Sequence, residues 1–141
     1  MRKAVLLISL ALAGNCEAAE WVDWLVRGSA FGEWVVVDRR ETFIVYANTG
    51  TIRATNNIAK MWGVTDFTND KAAPVKGVMS LKAEREYDCS QQQMRILYIS
   101  RHSGNMGEGE IVGSDSNIGS WQPVMLGTVG ERLWRIACGR R

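Results

Sequence analysis

The sequence predicts an α+β domain: an antiparallel sheet of about six strands, with one C-terminal helix packed on one face and tied to it by a disulfide. Three observations carry this expectation. Short β-rich runs separated by turn residues fill residues 34–114. Residues 127–138, GTVGERLWRIAC, follow as a single amphipathic helical pattern. Cys89 falls on the apolar side of the most regular strand, and Cys138 ends the helix. Strands in sequence with short links give an antiparallel sheet, and one helix against it gives two layers.

The N-terminus sets the compartment. Arg2 and Lys3 precede an apolar run, AVLLISLALA at residues 4–13, that is too short to span a bilayer as a helix. Cys16-Glu17-Ala18 is small at the two positions that matter for cleavage. Residues 1–18 therefore read as a secretory signal peptide, and the rest of the chain carries no second apolar run of membrane-spanning length. The expected location is a bacterial periplasm or outer cell surface. Cys16 has an alternative reading as the lipid-attachment cysteine of a lipoprotein, but Asn15 stands where Gly, Ala or Ser is usual. Cleavage after Ala18 leaves two cysteines, Cys89 and Cys138, and an even count in an oxidising compartment reads as one disulfide. Closing a loop of about 50 residues contributes roughly 4 kcal/mol in the chain-entropy account. A reactive thiol or a metal site competes poorly with that reading: the sequence has no CxxC and one histidine, His102.

The 141 residues allow one domain after the signal. The hydrophobic fraction of 46% suits a folded chain, and a net charge of +2 with scattered basic residues gives no expectation of nucleic acid. Residues 19–33 form an arm with Trp21, Trp24 and Phe31 and poor periodicity. It reads as a short strand, a turn of helix, or an arm that docks its tryptophans on the domain. Clustered aromatics there mark a partner surface or, more commonly, close an edge of the core.

The domain proper spans residues 34–141. Residues 34–37 and 42–47 read as a hairpin around a turn at 38–41. Asn48-Thr49-Gly50 is expected to break the second strand, with Ile52 and Arg53 in an irregular or helical turn. Residues 58–67, IAKMWGVTDF, form a third strand, and the polar residues 68–76 a loop. Residues 78–89 show the clearest alternation. Met79, Leu81, Ala83, Tyr87 and Cys89 share one face, with Arg85 out of place, and Ser80, Lys82, Glu84, Glu86 and Asp88 form the expected wet face. Residues 94–102 and 110–114 complete the sheet, and Trp121 packs under the loop at 116–123. In the helix, Thr128 and Glu131 fit a capping box, and Val129, Leu133, Ile136 and Ala137 share a face. Gly139 follows as the stop, with Arg140 and Arg141 at the negative end of the dipole.

Chemistry is sparse. The glycines of SGNMGEG, residues 103–109, lack the Walker lysine and serine and suit a turn that needs positive φ. His102 is the one candidate ligand or general base, for haem, a metal or a reaction; a lone histidine at a strand end is more commonly a surface or turn residue. Ser100 and Ser103 flank it, but a nucleophile needs a base and an acid brought together by the fold. Glu84, Glu86 and Asp88 read as exposed charges on a sheet face rather than an acid–base pair. Arg85, Arg95 and Arg101 read as a polar patch or as cross-strand ion-pair partners.

KMWGVTDF at 60–67, EYDC at 86–89, SGNMGEGEIV at 103–112, WQPV at 121–124 and GTVGERLWRIACG at 127–139 occur in an order that closely resembles the surface-adhesin protein E domain, a family of small exported bacterial proteins. The resemblance runs from Trp34 to Cys138 and omits the aromatic arm. It implies an antiparallel sheet of about six strands and a C-terminal helix held by a disulfide between cysteines that correspond to Cys89 and Cys138. It also implies binding to host-surface or matrix proteins, and dimerisation, without placing adhesive residues. The expected function is an exported, non-enzymatic module with no cofactor that binds a protein partner or a second copy of itself. The alternative is a periplasmic small-ligand or haem-binding protein that uses His102.

Overall fold

The computed structural model describes residues 33–140. The segment expected to be a signal peptide, residues 1–18 with Cys16, the expected 19–33 arm except Glu33, and Arg141 lie outside the described residues. Six strands follow in sequence as neighbours: β1 (Trp34–Arg39), β2 (Phe43–Thr55), β3 (Ile58–Phe67), β4 (Ser80–Asp88), β5 (Gln93–His102) and β6 (Ile111–Asp115). All pairings are antiparallel. A two-residue strand, β7 (Gln122–Pro123), pairs with the start of β5. Among the described residues one α-helix, α1 (Val129–Ala137), packs on one face. The expected α+β architecture is what the chain adopts.

The core lies between the sheet and α1. Val45 and Ala47 of β2, Ala59 and Met61 of β3, and Tyr87 of β4 meet Leu133, Trp134 and Ala137. Trp134 widens the helix face beyond the four expected positions. It lies three residues before Ala137, and its indole N–H donates to the Asp88 carbonyl at 2.9 Å. Burial holds the Tyr87 phenol up at about 12, and the neighbouring Arg85 opposes the shift.

The helix is tied at both ends. Thr128 accepts from the Glu131 N–H at 3.3 Å, and the Glu131 carboxylate reaches back past the cap to the Gly127 N–H at 2.7 Å. The Gly127 N–H, with Arg135 beside it, holds the Glu131 carboxyl below its ordinary range. At the other end Gly139 takes φ +63°, its N–H bonds to Ile136 O, and the Arg140 N–H bonds to Arg135 O. This is the paired-bond stop that a left-handed glycine permits. Cys138 bonds to Cys89, with the two Cα atoms 5.6 Å apart. Arg132 adds an ion pair to Asp38 of β1 at 2.8 Å, and the Asp38 carboxyl is held low by Arg40 first and by Arg132.

Three expectations need correction. First, Asn48-Thr49-Gly50 does not end the second strand: β2 continues to Thr55 across a register shift between Asn48 and Arg53. Side chains replace the lost ladder bonds there. Asn48 Oδ1 accepts from the Gly50 N–H, and Thr51 Oγ1 accepts from the Trp62 N–H at 3.0 Å. Second, the second face of β4 is not uniformly wet, because Ser80 is fully buried and Glu86 nearly so. Third, His102 is not a surface residue; it is 6% exposed. A segment that reads as a plain turn causes two of these differences, as the outer face shows. Arg85 stands on the helix side, as its place in the alternation says, because Gly63 on β3 leaves room: a Cβ there would lie 3.3 Å from Arg85 Nη1.

Candidate binding face

The face of the sheet opposite α1 is not covered by the helix. Antiparallel pairing arranges them in cross-strand rows. One row is aromatic: Trp34, Asn48, Trp62, Glu84 and Tyr98, on β1 to β5 in order. Beside it on one side run Val36, Tyr46, Val64, Lys82 and Ser100. On the other side run Arg53, Lys60, Glu86 and Arg95. A bulge between Glu84 and Arg85, where β5 supplies the extra residue Leu97, keeps Arg95 and Tyr98 on the same face.

Contacts within these rows order the face. Trp62 and Tyr98 meet edge to face with centroids 5.9 Å apart. The Lys82 ammonium lies 5.4 Å above the Trp62 ring, and the Arg95 guanidinium 4.4 Å above Trp121. Trp121 thus serves the outer face as a stacking partner rather than only filling a loop. Glu86 is bound by Arg95 Nη2 at 2.6 Å and Nε at 2.7 Å, and by Lys60 at 3.7 Å. That charge neutralisation is why Glu86 tolerates burial. At the β2–β3 hairpin end, Arg53, Thr55, Ile58, Lys60 and Glu86 line an open groove of about 570 Å³.

The far end of the face is covered. Residues 103–109 fold over it around a short 3-10 turn (Asn105–Gly107). Asp66 Oδ1 accepts from Asn105 Nδ2 at 3.1 Å and from the Met106 N–H at 2.7 Å. Ser80 Oγ donates to Gly104 O at 2.6 Å and accepts from the Gly107 N–H at 2.9 Å. Gly107 and Gly109 take φ +73° and +76°, as expected of glycines in this turn, whereas Gly104 is extended at φ −106°. The loop does more than turn: it roofs Ser80 and the row that holds His102.

The singled-out residues are dispersed. His102 Nε2 lies 2.8 Å from Ser100 Oγ, but Ser100 is 2% exposed, and His102 Nδ1 is buried with no hydrogen-bond partner among the described residues. A nucleophilic triad needs an acid at that nitrogen and an accessible hydroxyl. A ligand at Nε2 would have to displace the Ser100 contact beneath the roof. Ser103 Oγ instead accepts from the Glu110 N–H at 2.9 Å. Asp88 caps the turn after β4, held low chiefly by the Gln91 N–H, so Glu86 and Asp88 have separate structural roles. Arg85, Arg95 and Arg101 do not gather: Arg85 faces the helix side, Arg95 the outer face, and Arg101 lies against Gly113 at the β6 edge.

Residues 34–139 match the sequence profile described as surface-adhesin protein E. The chain belongs to that family. Among solved structures, a second crystal form of protein E from Haemophilus influenzae matches at 14% identity, over 73% of this chain and 91% of that one, with a TM-score of 0.54. Its selenomethionine form matches at 13% identity, over 77% and 95%, with a TM-score of 0.55. At that identity the likeness shows a shared fold. No functionally curated protein matches the sequence. Within the family profile lie the disulfide, the roofing loop and every residue of the three outer rows. Sequence reasoning missed the outer face because its members sit on five strands. The available signal was their common parity: Trp34 with Val36, Lys60 with Trp62, and Glu84 with Glu86 each lie two apart.

Proposed function

We propose that this protein is an exported, non-enzymatic binding module of the cell envelope or outer surface, and that it holds a protein partner on the outer face of its sheet. Membership of a surface-adhesin family supports the class of function. The observation that carries the site is the row of half-buried Trp34, Trp62 and Tyr98, flanked by Lys60, Lys82 and Arg95. Trp, Tyr and Arg are the residue types that dominate protein–protein binding energy, and Trp34, Trp62, Tyr98 and Arg95 bring them together here. Prior packing also lowers the entropy lost on binding. Among the described residues no helix is long and apolar enough to cross a membrane. Self-association through the same face belongs to the same reading, and sedimentation velocity measures it.

The test is crosslinking and pull-down from the native envelope and from immobilised matrix proteins, with mass spectrometry to identify the partner. Trp62→Ala and Tyr98→Ala should each weaken capture by roughly 30-fold or more, the scale of an interface anchor worth about 2 kcal/mol. Capture that is unchanged in both folded variants would remove the outer face from the account.

A further inference from the structure

Residues 20–32, EWVDWLVRGSAFG, put Trp21, Val22, Trp24, Leu25, Val26 and Phe31 immediately before the edge strand β1. An apolar stretch of this kind next to an edge strand is an association hazard unless something covers it. The outer face offers the complementary surface. The Trp34–Trp62–Tyr98 row is half-buried, and no described element lies across it: α1 packs on the opposite face, and the 103–109 loop covers only the far end.

We propose that residues 20–32 fold back across the outer face of their own chain and lay Trp21 and Trp24 on the aromatic row. The point of entry favours this route. The Glu33 carbonyl is pinned to β2 by the Thr49 N–H at 2.9 Å and by Thr49 Oγ1 at 3.0 Å. The Glu33 carboxylate packs against Gly50, where a Cβ would lie 2.5 Å away. The chain therefore enters the sheet beside Trp34, at one end of the aromatic row. The row from β1 to β5 crosses four strand spacings, about 19 Å. Thirteen residues reach up to roughly 43 Å when extended, so the arm can turn and still pass Tyr98. Gly28 and Gly32 supply the freedom to turn. The inference stands whether or not an outside partner uses the face. If one does, it must displace or share the surface with the arm.

The test is hydrogen exchange on the full processed chain, with a mass measurement to fix its N-terminus. Amides of residues 21–26 should exchange at least tenfold more slowly than an unstructured peptide, with the same protection across a hundredfold range of protein concentration. Trp62→Ala with Tyr98→Ser should abolish that protection while the amides of β3 and β4 keep theirs. Should that variant fold poorly, a photoreactive benzoylphenylalanine at position 24 of the otherwise unchanged chain gives a second reading. Its expected crosslinks fall on β3 and β5 within one molecule. Random-coil exchange of residues 21–26, protection that survives the double substitution, crosslinks between two molecules, or processing that removes the arm would each overturn the proposal.

Discussion

At the scale of single residues, His102 shows what burial does to a group that sequence leaves ambiguous. Burial beneath the 103–109 loop lowers its pKa, the Lys82 ammonium lowers it further, and Glu108 opposes both. The ring is therefore neutral in the folded state at neutral pH. In the unfolded chain it titrates near about 6.5. Above that value neither state is protonated, and the group costs nothing. As pH falls below about 6.5 the unfolded chain takes up a proton that the folded chain refuses, so stability declines, and the decline levels off once pH passes the lower folded pKa. His102→Gln should flatten this segment of the profile. Urea unfolding at about pH 5.5 and about pH 7.5 measures it; equal pH dependence in wild type and variant would mean that the ring titrates freely when folded. Nothing in the sequence placed His102 indoors, because the roof belongs to residues that follow it and read as an ordinary turn.

At the scale of elements, α1 depends on its attachments. Nine residues do not form a stable helix alone in water. The Cys89–Cys138 bond, the Trp134 indole on Asp88, and the Arg132–Asp38 pair fasten it to β4 and β1. Cys138→Ala should cost about 2–5 kcal/mol of global stability. Exchange of helix amides should rise more than that of β3 amides, because the helix loses its tether while the central strand keeps both neighbours. Wild-type melting of the variant under oxidising conditions would count against a stabilising disulfide. This element was legible in sequence because its signals are local: a cap, a 3.6-residue period, a glycine stop. Trp134 and the Glu131–Gly127 bond were not, since each depends on where a neighbouring segment lies.

At the scale of the whole molecule, the helix side of the sheet is a core, and the outer side is a surface that the 103–109 loop covers at one end. Val45, Ala47, Ala59, Met61 and Tyr87, from three adjacent strands, pack against α1 as one cluster. The oxidised domain should therefore unfold in a single cooperative transition, with calorimetric and van't Hoff enthalpies equal. A calorimetric enthalpy well above the van't Hoff value would divide the sheet into independent units. The outer face follows another logic. Its aromatics are held by one another and by cations, so substitution there should change binding more than melting.

Sequence by itself determined the strand order, the helix, the cysteine pair and the family, because each is written in local period, spacing or motif. The period-2 pattern of β4 also determined which way Tyr87 and Cys89 point. Tertiary structure decided which of the two sheet faces stays open. That choice rests on α1 covering one side, and on Asp66 and Ser80 drawing the 103–109 loop over the end of the other. It decided too that β2 runs through Asn48-Thr49-Gly50, where the Thr51 hydroxyl takes up the Trp62 N–H. Alternation tells a residue which neighbours share its side; only the packing of distant segments settles which side meets water.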